Sequence, residues 1–177
     1  MMTLIAIATS ILALIYGLGL AIWILKKPKG SETMQNIATA IQEGASSYLK
    51  RQAKTMTVFA VIIFVIITFL LPKNPALENS SMLIGIGFLV GALFSGLAGY
   101  LGMSISVRAN VRTAEAAKKG LSSALQVAFR GGAVTGMAVL GLALLGVSSF
   151  YYLFTVILDI PPAQAPALLI GFGFGAS

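Results

Sequence analysis

Few side chains in this sequence could carry acid–base, nucleophilic or metal chemistry. The chain has no histidine and no cysteine, which removes the commonest general base, the commonest transition-metal ligand and any thiolate. Its acidic residues are Glu32, Glu43, Glu78, Glu115 and Asp159. No two of them are close enough in the sequence to hold a divalent metal ion from one face of a helix. We therefore predict no catalytic, substrate-binding or metal-binding residue in this chain.

The overall composition excludes two broad classes of protein. Of the 177 residues, 58% are hydrophobic and 10% are charged, and the mean hydropathy is +0.95. Soluble domains are about 45–50% apolar and about 25% charged, so a water-soluble globule is excluded. Disorder is excluded as well, because it requires low hydrophobicity. The length predicts that residues 1–177 belong to a single domain.

Uncharged apolar stretches predict an all-α integral membrane protein. A helix needs about 20 apolar residues to cross about 30 Å of hydrocarbon. Four stretches predict full transmembrane helices, at residues 3–25, 55–71, 82–107 and 131–158. A fifth, 163–177, would reach only about 22 Å as a helix, and we expect it to be the first half of an incomplete span. None of the acidic residues lies within a predicted span, so the sequence shows no intramembrane carrier for a proton or sodium ion.

The basic residues predict the orientation of these spans. Eleven of the twelve lysines and arginines lie between spans one and two or between spans three and four. Because lysine and arginine concentrate in cytoplasmic loops, loops 26–54 and 107–130 should be cytoplasmic and the N-terminus outside. We interpret the net charge of +7 as a signal for topology and lipid headgroups, not for nucleic acid.

Both cytoplasmic segments are predicted to continue the helices of the adjoining spans. Ser31 is a candidate N-cap, and an apolar face follows at Met34, Ile37, Ile41, Ala45 and Tyr48. With no proline before residue 71, this helix would be about 57 Å long, well beyond the bilayer. The third helix should likewise run to about residue 119 and end at Gly120. The alternative is a separate amphipathic helix that lies flat on the lipid.

Glycine spacing predicts close packing between helices. Span three carries Gly87, Gly91, Ser95, Gly99 and Gly102, and span four carries Gly132 and Gly136. Small residues at four-residue spacing let helix backbones approach each other in lipid. A phosphate-binding loop is not indicated, because no Lys-Ser or Lys-Thr pair follows these glycines.

Seven short runs of residues can be compared with known families. The most distinctive is Arg-Ala-Asn-Val-Arg-Thr-Ala-Glu-Ala-Ala, which begins at Arg108. The others are residues 27–30, 41–45, 47–49, 102–103, 128–136 and 171–177. In this order and at this spacing, the set resembles the N-terminal part of the membrane-bound, ion-translocating inorganic pyrophosphatases. The resemblance extends over essentially the whole chain.

This resemblance implies a fold and an activity that the residues alone do not show. Family members hydrolyse inorganic pyrophosphate at a cytoplasmic, Mg²⁺-loaded site and export H⁺ or Na⁺. They are homodimers with a sixteen-helix fold in two concentric rings. The present chain would supply four outer-ring helices and the first half of the fifth helix.

By the same resemblance, the ligands of Mg²⁺ and the residues of the ion gate would follow Ser177. We therefore expect an N-terminal fragment that is inactive alone and sits in a prokaryotic cell membrane. Its partners would be the lipid bilayer, the remainder of the pump and a second copy, with no nucleic acid. The choice between H⁺ and Na⁺ and any dependence on K⁺ would be set elsewhere in the pump. The alternative is a non-enzymatic membrane scaffold protein.

Overall fold

Helices make up nearly all of the described structure. A computed structural model describes residues 2–70 and 80–177, and no strand occurs in these two ranges. The helices are α1 (Met2–Leu25), α2 (Glu32–Leu70), α3 (Ser80–Ala117), α4 (Leu121–Tyr152) and α5 (Ala165–Ala176), with a π-helical turn at Leu153–Ile157 after α4. The predicted all-α architecture is confirmed.

Four of these helices are long and apolar enough to cross a membrane, and α5 is a shorter apolar helix. α2 has 39 residues and α3 has 38, so each is about 57–58 Å long at about 1.5 Å per residue. Both helices are uninterrupted. The alternative of a separate amphipathic helix lying flat before span two was wrong, because residues 32–70 form one α-helix. The end of span two at residue 71 and the residues Lys73 and Glu78 lie outside the described residues.

Both predicted helix-boundary signals are present in the structure. The Ser31 hydroxyl accepts a hydrogen bond from the Met34 backbone N–H at 3.4 Å, as expected of an N-cap. Gly30 precedes it with φ +80°, a conformation that costs glycine little and other residues more. α3 ends at Ala117, and Gly120 has φ +118° in the short connection to α4.

Residues of the described chain form two compact units. The first contains residues 2–11, 53–70, 80–97 and 141–177, and the second contains 12–52 and 98–140. The first unit packs around Phe154, Ile160, Ala165 and Leu168, which are all buried. The second packs around Ala21, Ile24, Ala109 and Val134.

Phe172 of α5 is almost completely buried in the first unit, with 2% of its surface exposed. Its ring centroid lies 5.7 Å from that of Phe150 and 6.1 Å from that of Phe94. Gly146 of α4 faces the same ring so closely that a Cβ atom there would overlap it. Phe172 therefore fills the space that a glycine leaves between α4 and α5.

Two glycine pairs at four-residue spacing bring α3 and α5 into backbone contact. A Cβ atom on Gly91 would overlap the carbonyl oxygen of Phe172, and one on Gly175 would overlap the carbonyl oxygen of Phe88. Gly171 is similarly close to the opposite backbone, and a Cβ atom on Gly87 would lie 3.2 Å from the backbone nitrogen of Phe172. Small residues at this spacing permit such an approach, so the predicted packing role of Gly87 and Gly91 is confirmed.

The prediction also holds for Gly102, where a Cβ atom would overlap the side chain of Thr135 on α4, but three other predicted positions differ. A Cβ atom on Gly99, Gly132 or Gly136 would meet no described atom within 4 Å, so these glycines do not mediate close contacts among the described residues. Beside Gly132, the close contact falls on Gly131, where a Cβ atom would lie 3.2 Å from the Cβ of Ala109. The error arose because neighbouring ridges of α4 both carry small residues.

The apolar face predicted for α2 is largely not the face that packs within the second unit. Ile37, Ile41 and Tyr48 are 59%, 48% and 55% exposed. Ala38 is buried and Gln42 half-buried, one position further along the helix in each case. The packed face of α2 is therefore rotated from the predicted one, although it still includes Met34 and Ala45 of the predicted set, which are half-buried.

Candidate functional site

The acidic residues do not assemble a metal centre in the described structure. Glu32, Glu43 and Asp159 are exposed, Glu115 is half-buried, and Glu78 lies outside the described residues. Within residues 2–70 and 80–177, no group of three or more His, Cys, Asp or Glu side chains could hold a metal ion. These side chains therefore do not fit the Mg²⁺ that the family resemblance implies, since Mg²⁺ requires several clustered oxygen ligands.

Glu115 is engaged by a basic neighbour. Its Oε2 lies 2.6 Å from Nζ of Lys118, three residues further along. Helical spacing also allows Arg112, three residues before Glu115, as a partner, and the structure shows Lys118 instead. Arg112 is left without a carboxylate among the described residues.

Two arginines one helical turn apart make the main polar cluster of the second unit. Nη1 of Arg108 donates to the backbone oxygen and to Oγ of Ser104, at 2.7 Å and 2.5 Å. Nη1 of Arg112 donates to the backbone oxygen of Arg108 at 2.6 Å. Nη2 of Arg112 donates to the backbone oxygen of Leu25 at 3.0 Å, which joins α3 to the end of α1.

Sequence reasoning did not single out this cluster as a site. Arg112 is 4% exposed, although arginine is almost never fully buried unless it is paired. The available signal was the spacing of Arg108 and Arg112, which places two positive charges on one helix face. That spacing does not reveal burial, because burial depends on α1.

A cavity of about 240 Å³ opens beside the two arginines. We call it the basic cavity. Its lining residues come from the end of α1, the following connection, α2 and α3: Leu25, Lys29, Gln35, Ala38, Thr39, Gln42, Arg108, Val111 and Arg112. Three of them are cationic, three are neutral and polar, and none is acidic.

A second polar feature of the same unit is formed by Trp23 and two cationic side chains. Nζ of Lys27 is 4.1 Å from the centroid of its ring, and Cζ of Arg130 is 3.9 Å from it. Both distances fit cation–π contacts. The side chain also packs against the core cluster of Ala21, Ile24, Ala109 and Val134. The indole and the Arg130 cation therefore connect α1 to the N-terminal third of α4.

Comparison with known proteins gives one consistent result. Residues 11–177 match the family model described as inorganic H⁺ pyrophosphatase. The chain is 50% identical over 154 residues to a K(+)-insensitive pyrophosphate-energized proton pump of Methanosarcina mazei, an alignment that covers 87% of this chain and 21% of that protein.

Two further relatives carry related names. The chain is 42% identical over 172 residues to a putative K(+)-stimulated pyrophosphate-energized sodium pump of Clostridium tetani, covering 97% of this chain and 23% of that protein. It is 37% identical over 171 residues to the pyrophosphate-energized membrane proton pump 3 of Arabidopsis thaliana, covering 88% and 21%. The chain thus spans less than a quarter of the length of these three relatives. With a family match over residues 11–177 and four helices able to span a membrane, this membrane protein belongs to the inorganic H⁺ pyrophosphatase family.

Proposed function

We propose that this chain is the N-terminal part of a pump that hydrolyses inorganic pyrophosphate at the cytoplasmic side and exports H⁺ or Na⁺. The family match and the names of the relatives support this proposal. Within the pump, the chain acts as an outer-ring scaffold. It supplies helices that hold other parts of the pump in place, and it does not hydrolyse pyrophosphate alone.

The glycine-lined contact of α3 with α5 is the observation that carries the scaffold role. Gly91 and Gly175 each face the backbone of the opposite helix, and Phe172 fills the space beside Gly146. Such packing fixes the relative position of two membrane helices without any polar group. α5 is therefore held in place by residues of this chain.

Exposed apolar surface supports a role within a larger assembly. In the most apolar 18-residue stretch of α2, none of the residues is buried. The buried share of the equivalent stretch is 17% in α1 and 28% in α3. In this proposal, lipid covers part of that surface, and the remainder of the pump covers another part. A second copy of the pump completes a homodimer.

Catalysis in this proposal belongs to the rest of the pump. Pyrophosphate is highly charged, and its hydrolysis by this family uses Mg²⁺, which neutralises charge and activates water. The described acidic residues do not cluster, so the carboxylates that hold Mg²⁺ would come from elsewhere. The basic loops 26–54 and 107–130 support a cytoplasmic location for those segments and an outside N-terminus. The proposed location of the pump is a prokaryotic cell membrane.

Complementation of a split pump tests the proposal. The chain would be co-expressed with the remainder of the Methanosarcina mazei relative, starting after the aligned part. We expect pyrophosphate to drive proton uptake into inverted vesicles only when both pieces are present. Phe172→Ala should weaken the effect more than Phe174→Ala, because Phe174 is 71% exposed. A remainder that pumps equally well without the chain would refute the scaffold role.

A further inference from the structure

The basic cavity has the properties of an anion site. Its volume of about 240 Å³ is many times the roughly 10–15 Å³ that one water molecule requires. The cationic side chains of Lys29, Arg108 and Arg112 line it, without any acidic residue. The carboxylate on the same stretch of α3, Glu115, lies 2.6 Å from Lys118 and does not line the cavity.

Arg108 and Arg112 lack a counter-charge among the described residues. Like charges four residues apart on a helix destabilise it, and both guanidinium groups are at least partly shielded from solvent. An anion in the cavity would relieve this repulsion. The two hydrogen bonds from Arg112 to backbone oxygens hold its side chain in position without neutralising its charge.

One donor in the cluster is left unsatisfied. Nε of Arg112 is buried and has no hydrogen-bond partner among the described residues. A buried donor without an acceptor costs about 1–3 kcal/mol, and more when it is charged, so most such groups in proteins have a partner. Since Arg112 lines the cavity, an oxyanion there is the partner that its chemistry calls for.

Neutral polar side chains complete the lining. Gln35, Thr39 and Gln42 project from α2 onto the same cavity. Nε2 of Gln35 already donates to the backbone oxygen of Gly30 at 3.0 Å, and the Thr39 hydroxyl donates to the backbone oxygen of Gln35 at 2.9 Å. Gln42 also lines the cavity, and its side-chain amide carries two N–H donors. Planar guanidinium groups and amide N–H donors together match the oxygens of a phosphate group.

We propose that the basic cavity binds a phosphate group, carried either by the headgroup of an anionic phospholipid or by a free phosphate ion. The cavity adjoins Leu25, the last residue of the α1 span. Basic pockets between transmembrane helices at the end of a span bind anionic lipid headgroups. The site is separate from pyrophosphate hydrolysis, since no described acidic residue lies in it to hold a metal.

The test uses the whole chain, purified and delipidated in dodecyl maltoside. One arm adds phosphatidylglycerol or phosphatidylcholine and counts bound lipids by native mass spectrometry. The other arm titrates inorganic phosphate and follows the nitrogen-15 and proton resonance of the Arg112 Nε–H. Retention of phosphatidylglycerol alone identifies a lipid site, and saturable movement of the resonance by phosphate alone identifies a site for the free ion. Either result, or both together, supports the proposal.

Variants connect the binding to this cavity. Arg108→Gln and Lys29→Gln should each weaken binding about tenfold, the effect expected for one charged hydrogen bond. Lys119→Gln removes an exposed positive charge that does not line the cavity and should change binding less than twofold. Lys29 is exposed, so its variant tests the site even if Arg108→Gln fails to fold. Equal binding by the wild type and the Lys29→Gln variant, or no binding of either ligand, would overturn the proposal.

Discussion

Nη2 of Arg112 donates a hydrogen bond of 3.0 Å to the backbone oxygen of Leu25, 87 residues earlier in the sequence. Leu25 is the last residue of α1, and the last four carbonyl groups of a helix have no partner within it. A guanidinium group at this end also interacts favourably with the negative end of the helix dipole. Arg112 therefore caps α1 and ties it to α3.

Replacing Arg112 should loosen this connection. We expect Arg112→Met to lower the free energy of unfolding by about 2 kcal/mol, the range of a hydrogen bond from a charged donor. SDS titration in maltoside micelles measures the change, and the fluorescence of Trp23, the only tryptophan, reports on the second unit. Lys119→Met serves as the control for loss of charge. Identical unfolding curves for Arg112→Met and the wild type would show that the cap contributes nothing.

Phe172 and Phe174 provide a matched pair on α5. Phe172 is 2% exposed and Phe174 71% exposed, although the two lie two residues apart on the same helix. Phe172→Ala should destabilise the chain by about 2 kcal/mol, less than the about 3–5 kcal/mol typical of water-soluble cores, because lipid also solvates an exposed ring. Phe174→Ala should have little effect. Thermal unfolding in micelles, followed by circular dichroism, compares the two, and equal losses would contradict the observed packing of α5.

Glycines of α5 provide a second matched pair. Gly175→Ala places a Cβ atom against the backbone oxygen of Phe88, whereas Gly173→Ala meets no described atom within 4 Å. We expect Gly175→Ala to destabilise the chain by about 1–3 kcal/mol through overpacking. Gly173→Ala should be neutral or stabilising, because alanine favours helix more than glycine does. The same thermal measurement applies, and a stabilised Gly175→Ala variant would argue against a close contact between α3 and α5.

Much of the helical architecture was predictable because it depends on local signals. Charge-free apolar stretches marked the spans, and the cap at Ser31 and the φ of Gly120 follow from the chemistry of those residue types. The lengths of α2 and α3 followed from the absence of proline. Each of these features is encoded within a few residues of where it occurs.

Contacts between helices were much less predictable. Gly132 and Gly131 are adjacent, and only Gly131 packs closely on Ala109, since the choice of ridge depends on how α4 is rotated. The partner of Arg112 is a backbone oxygen, which no residue type in the sequence marks. The basic cavity was missed for the same reason: its lining residues come from three helices and the connection between two of them.

Orientation in the membrane can be tested without background, since the chain has no cysteine. Single variants Ser31→Cys and Lys119→Cys should react with a membrane-impermeant maleimide only from the cytoplasmic side, because these positions lie in the basic loops. Leu158→Cys, which is exposed near the end of α4, should react only from outside. Labelling of Ser31→Cys in intact cells would show that the orientation is the reverse of the predicted one.

We expect the chain alone to be inactive toward pyrophosphate. The purified chain should release no phosphate from Mg²⁺-pyrophosphate above background, because the metal ions would need clustered carboxylates and the described acidic residues do not form such a group. Oε2 of Glu115 also forms an ion pair with Nζ of Lys118 at 2.6 Å. A colorimetric phosphate assay after removal of contaminating soluble enzyme measures the rate.

Matched variants separate true activity from contamination in that assay. Glu43→Gln removes a carboxylate from the predicted cytoplasmic segment 26–54, and Glu115→Gln removes one from segment 107–130. If any residual phosphate release comes from a contaminant, both variants retain it at the wild-type level. If the rate falls in either variant, that carboxylate takes part in hydrolysis. Pyrophosphate chemistry would then begin within this part of the chain, and the outer-ring scaffold role alone would no longer account for its function.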